Sequence, residues 1–382
     1  MTSLKSTLRM NGYLVFILCL GILSCSQESS PASVQQTFDK GYGQIEVGGP
    51  YAGVEFHKSR PVPSRVSFYY PVANSLDLST DYWKRYNSQP LTITVFTASD
   101  SFSIGTEGWK YTYGPHFVEF EKRVNDYDIK ISYRFGGDLP IVALAMDISG
   151  TSSSQIIEKV TVRWALSLRT SHAYRWLNDP QLEALPGNDF AVSYSDSGSA
   201  NAALFISNVT KNAPSWQLDL GSKPAVEFSF DLTAKKPQAF HLDQIMGMCT
   251  KAELESMVSR VNKDWQNSIK QYEQEVNAYA TGETRLKVND EALQNTAYWS
   301  KAIQRANRHY IDGSLMPMPC PAEYNFFFTH DLLLTGLGVV KYDLEYISEG
   351  YKFLLERTKA DHVLPHAYYW REGEFVTEYC NS

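Results

Sequence analysis

Between about Gln44 and Leu232, apolar and polar residues alternate in short runs. Arg65–Tyr70, Leu91–Phe96, Phe117–Val124, Tyr127–Tyr133, Ile141–Met146 and Val160–Leu166 are alternating or β-branched, the pattern of half-buried strands, and Ala202–Ile206 and Val226–Phe230 extend the series. Turn residues separate them, as in Asn125-Asp126, Gly136–Pro140 and Ser149–Ser154. Many short strands with no helical period between them predict an antiparallel β-sandwich.

At Cys249-Thr250 the period lengthens. Thr250 and Glu253 fit a capping box, in which each side chain reaches the other's free backbone N–H. Leu254, Val258, Val261, Trp265, Ile269, Tyr272 and Val276 follow at steps of three and four, which predicts a long amphipathic helix. A second helix is expected from Asn289-Asp290, carrying Leu293, Ala297, Ile303, Ala306 and Tyr310. A third is expected from Asp331, with Thr329 or Asp331 as its cap, and a fourth from Leu344 to Arg357. The chain then breaks into a loop or short hairpin around Arg371-Glu372-Gly373. The segments read as a signal peptide (1–25), a polar tether (26–43), a β-sandwich (44–249), a linker helix (250–288) and a helical part (289–382).

The first segment is an address. Lys5 and Arg9 precede an apolar run, Tyr13–Leu23, too short to span a bilayer and of the length of a signal-peptide core. It ends in Ile22-Leu-Ser-Cys25, similar to a bacterial lipobox, with Cys25 as the lipidated residue. An ordinary cleaved signal with an incidental cysteine is the other reading. The expectation is a protein of a bacterial cell envelope, in the periplasm or on the outer surface, held to the membrane by lipid alone.

Composition narrows the partners. The 382 residues are 43% apolar and 13% aromatic and carry a formal charge of −7 with no basic block, so nucleic acid is not an expected partner. Cys249, Cys320 and Cys380 remain beyond the signal region, an odd number with no metal-ligand spacing, so neither structural zinc nor another cofactor is expected. No Ser-His-Asp elbow, phosphate-cradling loop or dinucleotide fingerprint is present.

The chemistry concentrates in Glu323–Gly336, where aromatics, a His-Asp pair and an apolar helix follow the Pro-rich stretch Met316–Pro321. With the β-then-α order, this resembles the six-hairpin (α/α)6 glycosidases, such as glucoamylases and glycogen-debranching glucosidases, many of which carry an N-terminal super-β-sandwich. The resemblance rests on Asn325-Phe-Phe-Phe-Thr-His-Asp331-Leu-Leu-Leu, which matches the loop before the second barrel helix, with His330 where an Arg is usual. It implies that His330 and Asp331 hold sugar hydroxyls, with Tyr324 and Phe328 beside them. Val363-Leu-Pro-His366 looks like the start of the next active-site loop, with His366, Tyr368, Tyr369 and Trp370 as substrate contacts. The implied ligand is an oligosaccharide or polysaccharide, and the implied reaction is exo-acting, inverting hydrolysis of α-linked glucosides.

Glycoside hydrolysis needs two carboxyl groups, and Glu323, Asp331, Asp361, Glu374 and Glu378 are available. Glu378 is the candidate for the acid, since Phe375, Val376 and Tyr379 could desolvate it. A barrel of twelve helices needs on the order of three hundred residues. From Asn289 there is room for three helices and a hairpin, so the expectation is an incomplete (α/α)6 barrel whose catalytic pair lies beyond Ser382. Two other readings stand beside it. One is a glycan-binding lipoprotein without catalysis, using an exposed aromatic row such as Trp109, Tyr111 and Tyr113. The other is a polysaccharide lyase, whose usual domain order is the reverse.

Overall fold

The computed structural model describes residues 34–379 except 42, 73–75, 79–86, 88, 153–154, 171–174, 187–188, 211–212, 236, 283–287 and 323–325. Cys25 and its lipobox-like segment, Glu323, Tyr324 and Cys380 therefore lie outside the described residues.

Among the described residues, three antiparallel sheets make up the β part. The largest has nine strands in the order Gln36–Phe38, Lys110–Gly114, Phe117–Val124, Tyr127–Phe135, Ile141–Gly150, Ala239–Thr250, Ala202–Asn208, Phe190–Ser193, Gln181–Glu183. A five-stranded sheet orders Ser215–Asp219, Ala225–Asp231, Ile157–Ala165, Leu91–Thr97 and Ser101–Ser103. A six-stranded sheet orders Arg175–Leu177, Leu168–Thr170, Leu76–Leu78, Arg65–Phe68, Ala52–His57 and Gln44–Gly48. The two smaller sheets share one core with the large one. Ile129, Ile131 and Tyr133 of the large sheet, Ile93, Val162 and Phe228 of the five-stranded sheet, and Val54, Phe56 and Phe68 of the six-stranded sheet belong to a single buried cluster. Period-two alternation directs these side chains inward, and each fully buried Val, Ile or Phe stabilises the fold by about 1.5–3 kcal/mol.

Two features of the sandwich depart from the sequence reading. Its first strand, Gln36–Phe38, falls in the stretch read as tether and pairs with Tyr111–Tyr113. The twelve-residue strand Ala239–Thr250 lies at the middle of the large sheet, where no strand was expected. Both faces of its second half are covered, which erases the alternation. Gln244 interrupts its apolar face; there the Trp164 indole N–H donates to Oε1 at 2.5 Å, and Nε2 donates to Asn208 at 2.8 Å.

Helix α1 (Leu254–Thr281) covers the outer face of the large sheet. Leu254, Met257, Val258, Val261 and Ile269 bury against Ile141, Ala143, Phe205 and Ile245. It starts as expected from Thr250 and Glu253. The Thr250 backbone N–H and hydroxyl both donate to Glu253 Oε2, at 3.2 and 2.6 Å, and the Tyr70 hydroxyl donates to the same carboxylate.

The C-terminal part contains α2 (Glu291–Ala306), a hairpin of Arg308–Ile311 with Ser314–Pro317, α3 (Thr329–Val339), α4 (Leu344–Leu355) and a hairpin of Pro365–Arg371 with Glu374–Tyr379. Tyr310, expected on the second helix, lies instead in a strand. The cause is Asp312-Gly313, whose φ angles of 46° and 80° make a tight left-handed turn that closes a hairpin. Nor do Thr329 and Asp331 cap α3. Phe328 occupies the cap position, the Thr329 hydroxyl donates to the Pro365 carbonyl, and Asp331 sits in the first turn, leaving its carboxylate to other partners. Asp290 and Asp343 do cap α2 and α4, accepting from the Leu293 and Tyr346 N–H at 3.1 and 2.9 Å.

One side of α3 has no apolar cover among the described residues. Leu334 and Leu337 are 66% and 73% exposed, and Leu333 and Val340 continue the stripe at helical spacing. Replacing Leu334 and Leu337 together by glutamine is expected to change the unfolding free energy by no more than about 0.5 kcal/mol. The same pair should lower concentration-dependent light scattering. A large loss of stability would show that these leucines are buried in solution.

Candidate functional site

The stretch that precedes the residues of interest rests on a seat on the six-stranded sheet. Gly48 and Gly53 lie opposite each other on neighbouring strands and leave a bare patch of backbone. Pro321 rests on it so closely that a Cβ on Gly53 would lie 1.6 Å from the Pro321 carbonyl oxygen. Ala322 is then held from both sides. Its N–H donates to Glu46 Oε2 at 3.0 Å, and its carbonyl accepts from Ser67 Oγ at 2.6 Å and Arg65 Nη1 at 3.2 Å. Beside it, buried His309 donates from Nδ1 to the Gly49 carbonyl at 2.8 Å and packs on Tyr69, ring centroids 4.2 Å apart. Burial pushes the His309 pKa down to about 4, so the ring is neutral. The sequence carried a signal for this seat, glycine inside strand patterns, which marks close backbone approach.

Four residues beyond Ala322, the chain enters the site. Phe327-Phe328 forms a short strand on Tyr368-Ala367 of the C-terminal hairpin, and that pairing brings together residues far apart in sequence. His330 and Asp331, in the first turn of α3, come beside His366 and Glu378 of the hairpin. His330 Nε2 lies 3.0 Å from Asp331 Oδ2, an oxygen buried in the site, while the imidazole itself is exposed. The His330 and His366 rings are stacked, 17° from parallel with centroids 6.0 Å apart, and Phe328 touches both, at 5.3 and 5.5 Å. His366 Nδ1 lies 3.7 Å from Glu378 Oε1, and the Tyr369 hydroxyl donates to Glu378 Oε2 at 3.1 Å. Burial, and then that bond to a carboxylate, raise the Tyr369 pKa and keep it a donor. Phe326 closes the wall against Tyr369 and Phe328, at 4.9 and 5.6 Å.

This arrangement suits a neutral polyhydroxylated ligand. Two carboxylates accept hydroxyl hydrogens in charge-assisted bonds, two imidazoles can donate or accept, and the phenyl rings offer an apolar surface for C–H faces. Among the described residues, no group of three or more His, Cys, Asp or Glu is arranged to hold a metal ion.

The remaining residues picked out in the sequence sit elsewhere. The Trp370 indole N–H donates to the Gly198 carbonyl at 3.2 Å and the ring meets Phe375, so Trp370 ties the hairpin to the sandwich. Tyr368 is buried in the C-terminal core, and its hydroxyl donates to Asp312 at 2.7 Å. The aromatic row offered for glycan binding is not exposed: Trp109 and Tyr111 are buried in the sandwich core, and Tyr113 stacks on Trp299. Their alternation marks the inner face of a strand.

No protein-family model matches the chain, and no curated protein sequence matches it. Its fold is similar to that of a bacterial glucoamylase solved with acarbose, with a TM-score of 0.51 and 10% identity over 89% of this chain and 56% of that one. The chain thus spans little more than half the length of that enzyme, and at this identity the likeness is one of fold. Weaker similarity, TM-score 0.35 with 13% identity over 56% of this chain and 37% of the other, links it to a heparan sulfate lyase variant from Pedobacter heparinus.

Proposed function

We propose that this chain is a carbohydrate-binding protein of glycosidase type, and that His330, Asp331, His366 and Phe328 hold the terminal sugar of an oligosaccharide. The observation that carries the reading is the convergence of the His330-Asp331 and His366-Glu378 pairs around Phe328 and Tyr369. The glucoamylase-like fold supports it. Since that enzyme was solved with acarbose, α-linked gluco-oligosaccharides are the first ligands to try.

Asp331 acts in this reading as a hydroxyl acceptor. It lies in the first turn of α3, where the positive end of the helix dipole favours a carboxylate. Helices α2–α4 are of the kind from which an (α/α)-type helical assembly is built, and the apolar stripe Leu333, Leu334, Leu337 and Val340 lies on the exposed side of α3. Lipid anchoring through Cys25 in a bacterial envelope belongs to the same proposal and would bring the site to extracellular or periplasmic glycan.

Binding is tested by titrating maltotriose and longer malto-oligosaccharides into the full chain by calorimetry, beside Asp331→Asn. Asparagine keeps the shape and removes the charge. Hydrogen bonds to a charged group contribute about 1.5–3 kcal/mol, so affinity should fall roughly ten- to a hundredfold. Unchanged affinity in the variant would remove Asp331 from the site.

A further inference from the structure

Away from that cluster, the sandwich has a cavity of about 200 Å³ lined by Ser167, Trp176, Asn178, Ser222, Lys223 and Pro224, among others. Its walls come from three places in the chain fastened by backbone pairing. The Leu166 N–H donates to the Pro224 carbonyl at 2.8 Å, and Trp176 is the register partner of Arg169 in the six-stranded sheet. Such a cavity is preformed.

Trp176 differs from the other described tryptophans of the sandwich. Trp109 and Trp164 are buried, and Trp216 packs edge-on against Phe190. Trp176 is 37% exposed, and among the described residues no ring or cation covers its indole. Around it stand two hydroxyls, an amide and an ammonium. Among the described residues, none of the Ser167, Asn178, Ser222 and Lys223 side chains is committed to a hydrogen bond or ion pair. An open indole face ringed by uncommitted donors and acceptors is complementary to a pyranose, which has one apolar C–H face and an equatorial rim of hydroxyls.

We propose that this cavity is a second saccharide-binding site, taking one neutral pyranose unit on Trp176, with Asn178, Ser167, Ser222 and Lys223 bonding its hydroxyls. It shares no residue with the His330-Asp331 cluster and extends the reading given above to a further site. Two sites on one chain would let it hold a glycan at two points, so that the second contact forms at a high effective concentration.

The test uses the full chain carrying Asp331→Asn, which weakens the cluster and leaves this cavity intact. Malto-, cello-, manno- and xylo-oligosaccharides are titrated against tryptophan fluorescence and saturation-transfer NMR. At least one series is expected to bind. Adding Trp176→Ala should weaken that binding about tenfold, the size of a lost aromatic stack. Trp176→Phe, which keeps an aromatic surface, should retain part of the affinity and guards against a folding defect. The proposal is overturned if no series binds the Asp331→Asn chain. It is equally overturned if the alanine variant, with an unchanged melting temperature, binds as tightly as its parent.

Discussion

An alanine at Gly53 is expected to destabilise the protein by about 1–3 kcal/mol or more, the range for overpacking a close-packed contact, and to displace Pro321 and Ala322 from the sheet. The added Cβ would meet the Pro321 carbonyl oxygen at 1.6 Å and the Tyr69 hydroxyl at 2.5 Å. The carbonyl is backbone and cannot swing aside, so the loop must lift. Lifting it separates Ala322 from Glu46, Ser67 and Arg65, and loses three hydrogen bonds. Gly338 in α3 is the matched control. Nothing lies within 4 Å of a Cβ there, and in this last turn of the helix alanine is favoured over glycine by less than the roughly 0.8–1.0 kcal/mol of a helix interior. Urea unfolding of the two variants should therefore move in opposite directions. Equal midpoints would mean that Pro321 does not rest on the sheet.

Acid is expected to act on the same seat. The pKa values of buried His309 and His116 are pushed down to about 4, His309 by burial, and His116 by burial and then by the Arg134 charge. In the unfolded chain both return to about 6.5. Between pH 6.5 and 4 the unfolded state therefore binds more protons, so their contribution is complete above pH 6.5 and is lost as the pH falls through that window. At about 1.4 kcal/mol per pH unit, each histidine withdraws on the order of 3 kcal/mol by pH 4. Unfolding free energies measured from pH 7 to 4 should fall steeply. His309→Asn, which retains a donor for the Gly49 carbonyl and does not titrate, should flatten the slope by close to one proton. The same slope in the variant would show that His309 is already protonated, or open to water, in the native state.

Much of this was legible in the chain because the physics is local. Alternation located most of the strands of the core, and the three- and four-residue steps from Leu254 to Val276 located α1 with its cap. What escaped depends on contacts between distant segments. The strand Ala239–Thr250 hides its period because α1 covers one side and the sandwich core the other. The glycine pair under Pro321 has meaning only once two strands and a loop meet. At the site, His330, Asp331 and His366 were singled out by the family resemblance and Glu378 by its apolar neighbours, but their juxtaposition is made by Phe327-Phe328 pairing with the C-terminal hairpin, which no local pattern encodes. Trp370 looked like a sugar platform for the same reason that it fits its structural place, since an indole serves either role. Only the Gly198 carbonyl distinguishes them.

The most direct measurement is a long-range nitrogen–proton spectrum of the histidine side chains, recorded while a malto-oligosaccharide is added to the full chain. A sugar seated at the cluster will shift the imidazole signals of His330 and His366 with a common saturation curve, while buried His116 and His309 stay in place. Saturable binding that leaves the His330 and His366 signals unmoved would contradict the assignment of the site.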